Sequence, residues 1–118
     1  MIKGIGCDIV SINRIKKLVD TWGDKFLGRI FTLSELECAN KRKYGYYAYL
    51  AKRFAAKEAI SKALKTGIGS ALSFKECEIL NDEKGAPLVN FLRNDLNFKV
   101  HLSLSDEKEY AQAFVIIV

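Results

Sequence analysis

The chain has 118 residues, 49% of them hydrophobic, with 19 Lys and Arg against 14 Asp and Glu for a net charge of +5. One domain of common size with a genuine core fits these values, and intrinsic disorder does not. The basic excess favours an acidic partner (nucleic acid, an anionic membrane or an acidic protein), although a solvated basic surface without a partner is also compatible.

In chain order, IKGIGCDIVSI reads as a strand rich in Ile and Val and punctuated by Gly4 and Gly6. Ser11 can cap a short helix carrying Ile12, Ile15, Leu18 and Val19 at helical spacing. Thr32 to Glu35 match a capping box, so a helix is expected over about 33–42, ending in the basic cluster Lys41, Arg42 and Lys43. The longest helix is expected from Tyr46 to Lys65, with Gly67 as its stop. SFKECEIL alternates as a strand, NDEKG is turn chemistry, and PLVNF is a short strand. FKVHLSLS places Phe98, Val100, Leu102 and Leu104 on one face and Lys99, His101, Ser103 and Ser105 on the other. A turn over Asp106–Glu109 leads into YAQAFVIIV, so the last two strands can form a hairpin. This succession predicts a single α+β domain over 1–118 with a small antiparallel sheet, one long helix and several short ones.

Cys7, Cys38 and Cys77 follow no zinc-like spacing, and their odd number resists full pairing. Their apolar neighbours predict free buried thiols in a reducing compartment. No signal peptide is read ahead of the first strand, and no apolar run approaches the ~20 residues needed to span a bilayer. A soluble, cytoplasmic protein is expected.

Two carboxylates stand out: Asp8 inside GIGCDIVSI and Glu58 inside LAKRFAAKEAISKAL. Ionised carboxylates among Ile, Val, Phe and Ala cost free energy unless something positive neutralises them. At about 100° per residue, with Phe54 at zero, Glu58 falls near about +40° and Lys62 near about +80°. Glu58 is therefore expected on the inward stripe. An i,i+4 pair between Glu58 and Lys62 is one reading of that spacing. The other is a Mg²⁺ site, since oxygen ligands from two separate elements suit Mg²⁺ when phosphate completes its shell. Arg53, Lys62 and Lys65, with Thr66 and Gly67 at the helix end, suit a phosphate-rich ligand, although no P-loop pattern occurs. His101 is the only histidine, and a structural role outweighs a catalytic one on residue type alone.

Taken together, GIGCDIVSINRI, FTLSELE, LAKRFAAKEAISKALKTGIG and HLSLSDEKEYAQAFVII resemble the holo-[acyl-carrier-protein] synthases, the short 4′-phosphopantetheinyl transferases. The resemblance runs from residue 2 to about residue 117, and RFAAKEA followed by KA is its most specific part. It implies transfer of 4′-phosphopantetheine from coenzyme A to a serine of apo-acyl carrier protein, releasing adenosine 3′,5′-bisphosphate, in the service of fatty acid biosynthesis. Asp8 and Glu58 fall on the family's Mg²⁺ ligands. Lys62 matches the lysine beside the pyrophosphate, where it stabilises or protonates the leaving group. Glu58, directly or through water, is the implied acceptor of the serine proton. Arg53, Lys62, Thr66, Gly67, His101 and Ser103 are implied coenzyme A contacts, and Arg14 on the first helix belongs to the surface receiving the acidic carrier protein. The resemblance further implies a homotrimer with active sites at subunit boundaries, the HxSxSH-type segment reaching the neighbouring subunit's site.

Two departures from the family pattern stand out. Asp106 replaces the second histidine of the late motif, which leaves it either pointing away from polyphosphate or paired with a lysine. KAxGTG reads KALKTG, so Lys65 stands where glycine is usual, as an added phosphate contact or a solvated side chain. A noncatalytic nucleic-acid module would lack a use for Asp8 and Glu58, and its basic residues are not interleaved with aromatics as in single-strand platforms. An inactive carrier-binding scaffold is the remaining alternative. Neither nucleic acid nor membrane is expected as a partner.

Overall fold

Capping chemistry sets the first helices. In the computed structural model, which describes residues 1–65, 72–93, 95–96 and 98–118, strand β1 (Gly4–Ser11) ends at the residue that caps helix α1 (Ile12–Trp22). The Ser11 Oγ accepts from the Arg14 N–H at 3.2 Å. Gly23, at φ 52°, turns the chain into α2 (Asp24–Ile30). This second helix was not expected from the sequence. It has seven residues, no side-chain cap and an internal glycine, all weak local signals. The capping box forms as read: Thr32 Oγ1 accepts from the Glu35 N–H at 3.2 Å, and Glu35 accepts from the Thr32 N–H at 2.9 Å, opening α3 (Leu33–Asn40).

Helix α4 runs over Tyr46–Ala63, with Leu64 as its C-cap. The helix thus ends before the expected stop: Lys65 turns out of it at φ 64°, and Gly67 lies outside the described residues. A 3₁₀ turn over Phe74–Glu76 occupies the start of the expected SFKECEIL strand and leaves β2 (Cys77–Asn81) to pair with β3 (Pro87–Phe91). Strands β4 (Val100–Asp106) and β5 (Tyr110–Ile117) form the expected terminal hairpin.

The main sheet is antiparallel, in the order β1-β5-β4, and β2-β3 form a separate two-stranded sheet. Its register sorts residues by face. Asp8, Ala113 and Leu104 stand in one cross-strand row, and Gly6, Val115 and Leu102 in the next, all toward α4. Cys7, Phe114 and Ser103 form a row on the opposite face, as do Ile5, Ile116 and His101.

Helix α4 is buried nearly all round, with Leu50, Ala51, Ala55, Ala56, Ala59 and Ile60 fully excluded from water. On the stripe expected to face inward, Leu50 and Ala51 are fully buried but Phe54 and Glu58 only half-buried, and Lys62 is exposed. Small residues let β1 approach closely. A Cβ placed on Gly6 would sit 2.0 Å from the Ala59 carbonyl oxygen, and one on Gly4 2.0 Å from that of Ala63.

The three thiols are free, but only Cys77 is buried, its pKa pushed up to about 12 by that burial; Cys7 and Cys38 are exposed, against expectation. Cys7 belongs to the outward face of β1, and Cys38 to a short surface helix, so apolar neighbours in sequence did not translate into burial. Among the described residues no helix is long and apolar enough to cross a membrane.

The contact between β1 and α4 generates a paired prediction. Gly6→Ala forces two backbones apart and should lower stability by about 3 kcal/mol. Gly28→Ala, in the exposed middle of α2 with open space around it, should raise stability by about 0.5–1 kcal/mol. Urea unfolding of the two variants measures both; a Gly6→Ala chain as stable as the parent would contradict the packing described.

Candidate active site

The close approach of β1 to α4 brings together residues 50 positions apart in sequence (Asp8 and Glu58). The Lys62 Nζ donates to Asp8 Oδ1 at 3.1 Å and to the Cys7 carbonyl oxygen at 3.0 Å, bridging helix and strand. Lys62 therefore pairs with Asp8; no Lys62–Glu58 ion pair forms among the described residues. Asp8 is the more enclosed partner, 17% exposed against 54% for Lys62. So open a pair is worth little to stability. Its consequence is positional: one ammonium is held over one carboxylate.

Glu58 completes the group. Its pKa is raised first by burial and then by the negative charge of Asp8, while Lys62 and Arg14 pull it back. These influences put Asp8, Glu58, Lys62 and Arg14 in one electrostatic neighbourhood, contributed by β1, α4 and α1. A carboxylate whose ionisation is opposed by burial and a neighbouring negative charge is relieved by a cation. Among the described residues no cluster of three or more His, Cys, Asp or Glu could hold a metal. The chain can therefore offer a cation two carboxylate ligands, which suits a hard ion whose remaining ligands are water and phosphate. The donor set fits such an ion.

Other expected site residues lie elsewhere. Arg53 is on α4 but about 140° around the helix from Glu58, and is only 2% exposed. Its guanidinium stacks 3.7 Å from the Tyr49 ring centroid and donates to Asn81 Oδ1, while its buried Nε has no hydrogen-bond partner among the described residues. Within the single chain Arg53 is thus part of the packing between α4 and β2. His101 and Ser103 are exposed on the sheet face turned away from α4, so one chain does not bring them to Asp8 and Glu58. Thr66 and Gly67 lie outside the described residues. Asp106 faces α4 and pairs with Lys52 at 2.9 Å, which settles its side chain on a lysine.

The sequence reading missed a groove between α1 and α2. It encloses about 590 Å³ and is lined by Leu18, Trp22, Lys25, Phe26 and Arg29. The available signal was Trp22, one turn beyond Leu18 on the apolar stripe of α1 and 57% exposed. Its other wall comes from the unexpected helix α2.

Arrangement and sequence both match known proteins. The family model of the 4′-phosphopantetheinyl transferase superfamily matches residues 4–115. The holo-[acyl-carrier-protein] synthase of Blochmanniella pennsylvanica is 46% identical over 124 residues, spanning 99% of this chain and 98% of that protein. A crystal structure of the Bacillus anthracis holo-(acyl-carrier-protein) synthase in complex with CoA (3′,5′-ADP) superposes with a TM-score of 0.88 at 44% identity, covering 99% of this chain and 96% of the other. The Neisseria meningitidis synthase superposes with a TM-score of 0.90 at 42% identity, covering 100% and 99%.

The raised Glu58 pKa sets a pH dependence. A carboxyl that holds its proton more tightly when folded contributes stability that is fully present below its unfolded value and lost as pH rises through the raised folded value. Glu58→Gln should therefore gain on the parent as pH climbs from the ordinary glutamate range toward neutrality. Thermal unfolding midpoints of both proteins across that range measure the difference; parallel curves would contradict the raised pKa of the partly buried Glu58.

Proposed function

The chain belongs to the 4′-phosphopantetheinyl transferase superfamily, among the holo-[acyl-carrier-protein] synthases, and from that premise we propose that Asp8, Glu58 and Lys62 transfer 4′-phosphopantetheine from coenzyme A to a serine of apo-acyl carrier protein. The observation that carries this reading is the meeting of Asp8, Lys62 and Glu58 at the contact of β1 with α4. Asp8 and Glu58 would hold Mg²⁺. When bound, this ion supplies charge neutralisation to the pyrophosphate and makes its phosphorus more electrophilic.

The chain's own groups supply the rest. Glu58 takes the proton of the attacking serine hydroxyl, directly or through water, with a basicity that the bound cation weakens. The serine oxygen–phosphorus bond forms as the bond from phosphorus to the bridging oxygen breaks. The leaving group is adenosine 3′,5′-bisphosphate. Lys62, exposed and held by one hydrogen bond each to Asp8 and the Cys7 carbonyl, neutralises or protonates that oxygen. Thr66 and Gly67, which follow Lys65 in sequence, are further proposed coenzyme A contacts.

The carrier protein is assigned to the α1–α2 surface. Arg14 and the groove walls Lys25 and Arg29 offer positive charge around an apolar floor of Leu18, Trp22 and Phe26. An acidic amphipathic helix suits that combination, and opposite charge speeds its encounter. Helices α1 and α2 carry Arg14, Lys16, Lys17, Lys25 and Arg29 against only Asp20 and Asp24, so this surface is basic.

A homotrimer accounts for the outward face of the sheet. Ile5, Ile9 and Phe114 are 59%, 62% and 41% exposed there, beside His101 and Ser103. Burying this face against a second copy removes apolar surface from water and carries His101 and Ser103 toward the neighbouring copy's coenzyme A. A cytoplasmic location follows from the substrates, in keeping with free thiols.

Release of adenosine 3′,5′-bisphosphate with an apo-carrier, coenzyme A and Mg²⁺ tests the assignment. Asp8→Ala should abolish turnover, and Lys62→Ala should lower kcat at least about 100-fold while coenzyme A still binds. Arg14→Glu should raise KM for the carrier and leave that for coenzyme A unchanged. Full turnover by Asp8→Ala overturns the metal assignment. Light scattering should give three times the chain mass, falling toward one chain in Phe114→Glu; a monomeric parent overturns the trimer.

A further inference from the structure

The residue that ends α4 carries a conformation its side chain does not favour. Lys65 sits at φ 64°, the only non-glycine residue with positive φ among those described. Its N–H donates to the Lys62 carbonyl at 3.0 Å, so the two lysines are joined in one tight turn. A left-handed residue bearing a Cβ is strained, and glycine would hold the same turn without that strain. Packing does not offset the strain. Lys65 is exposed, and no described residue forms an ion pair or side-chain hydrogen bond with it. Among the described residues, then, nothing repays the stability that the lysine costs.

Position supplies the missing gain. Lys65 stands immediately beyond the turn of α4 that carries Lys62, whose ammonium is already committed to Asp8 and the Cys7 carbonyl. A polyphosphate brought to this end of the helix meets one cation shared with a carboxylate and a second with no described counter-ion. We propose that Lys65 is a substrate-binding residue whose ammonium contacts a phosphate of coenzyme A, and that the strained turn is retained to present it. The proposal rests on the transferase reading and adds an affinity determinant to it. Lys65 contributes to binding in ground state and transition state alike, so its loss appears in KM and not in kcat.

The test separates charge from backbone. Lys65→Gly removes both charge and strain, Lys65→Asn removes the charge while tolerating the left-handed turn, and Lys65→Arg keeps the charge. Titration calorimetry with coenzyme A and Mg²⁺ should show affinity falling about two- to fivefold in Lys65→Gly and Lys65→Asn. Affinity should be retained in Lys65→Arg, with the differences shrinking as salt is raised. The unfolding midpoint of ligand-free Lys65→Gly should equal or exceed the parent's, which a merely structural lysine would not allow. Parent-like affinity in Lys65→Gly and Lys65→Asn, in a parent that binds coenzyme A and turns over, overturns this proposal and leaves the transferase reading standing. A parent that neither binds coenzyme A nor transfers overturns both.

Discussion

The architecture depends on one buried ion pair. Lys57 and Glu35 are both fully excluded from water, with 2.7 Å between Nζ and Oε1. Such a pair is tolerable only if its charged groups are well hydrogen-bonded, and here all three Lys57 N–H donors and both Glu35 oxygens have partners. The Lys57 ammonium also donates to the carbonyls of Ile30 at 2.9 Å and Phe74 at 2.8 Å. The Glu35 carboxylate also accepts from the N–H groups of Thr32 and Ile79, at 2.9 and 2.8 Å. Burial pulls the Lys57 pKa down, and Glu35 opposes that pull. One ion pair thereby fixes the end of α2, the start of α3, the 3₁₀ turn and β2 onto the middle of α4. Removing either partner alone leaves a buried charge uncompensated, a cost of about 3–5 kcal/mol.

That anchoring leaves α4 with two different jobs. Lys57 and Glu58 are adjacent in sequence and about 100° apart on the helix, so one enters the fixed core while the other stays on the half-buried side. On that side β1 is drawn in through Gly4 and Gly6, whose missing side chains allow its backbone to lie against the carbonyls of Ala59 and Ala63. The same contact brings Asp8 within reach of Lys62. The proposed reacting groups thus stand on a helix and a strand, both held by core packing, as positioning at a phosphoryl group would demand.

Much of this was legible in the sequence because the relevant signals are local. The Ser11 cap, the Thr32–Glu35 box, the alternation of β4 and the capacity of β4 and β5 to pair are each written within a few residues. Asp8 and Glu58 stood out because carboxylates in apolar runs need a reason. What escaped was nonlocal. Nothing near Glu35 announces that its carboxylate, besides closing the capping box, neutralises Lys57, because the two meet only when α3 packs on α4. The contact of Arg53 with Asn81 is nonlocal in the same way, its guanidinium lying over Tyr49 and donating across to β2. Helix α2 escaped for the opposite reason: its local signals are weak, and packing holds it. The stripe of α4 was misjudged because a helix buried on nearly every side has no single inward face.

The central claim is that Asp8, Glu58 and Lys62 form a site for phosphopantetheine transfer. Intact-protein mass spectrometry of an apo-acyl carrier protein, incubated with this chain, coenzyme A and Mg²⁺, tests it most directly. The account predicts a mass gain of one phosphopantetheine arm on the carrier, abolished by a chelator and restored by added Mg²⁺. A carrier of unchanged mass, across several acidic carriers and with a folded, coenzyme A-binding chain, would contradict it and leave a carrier-binding scaffold in its place.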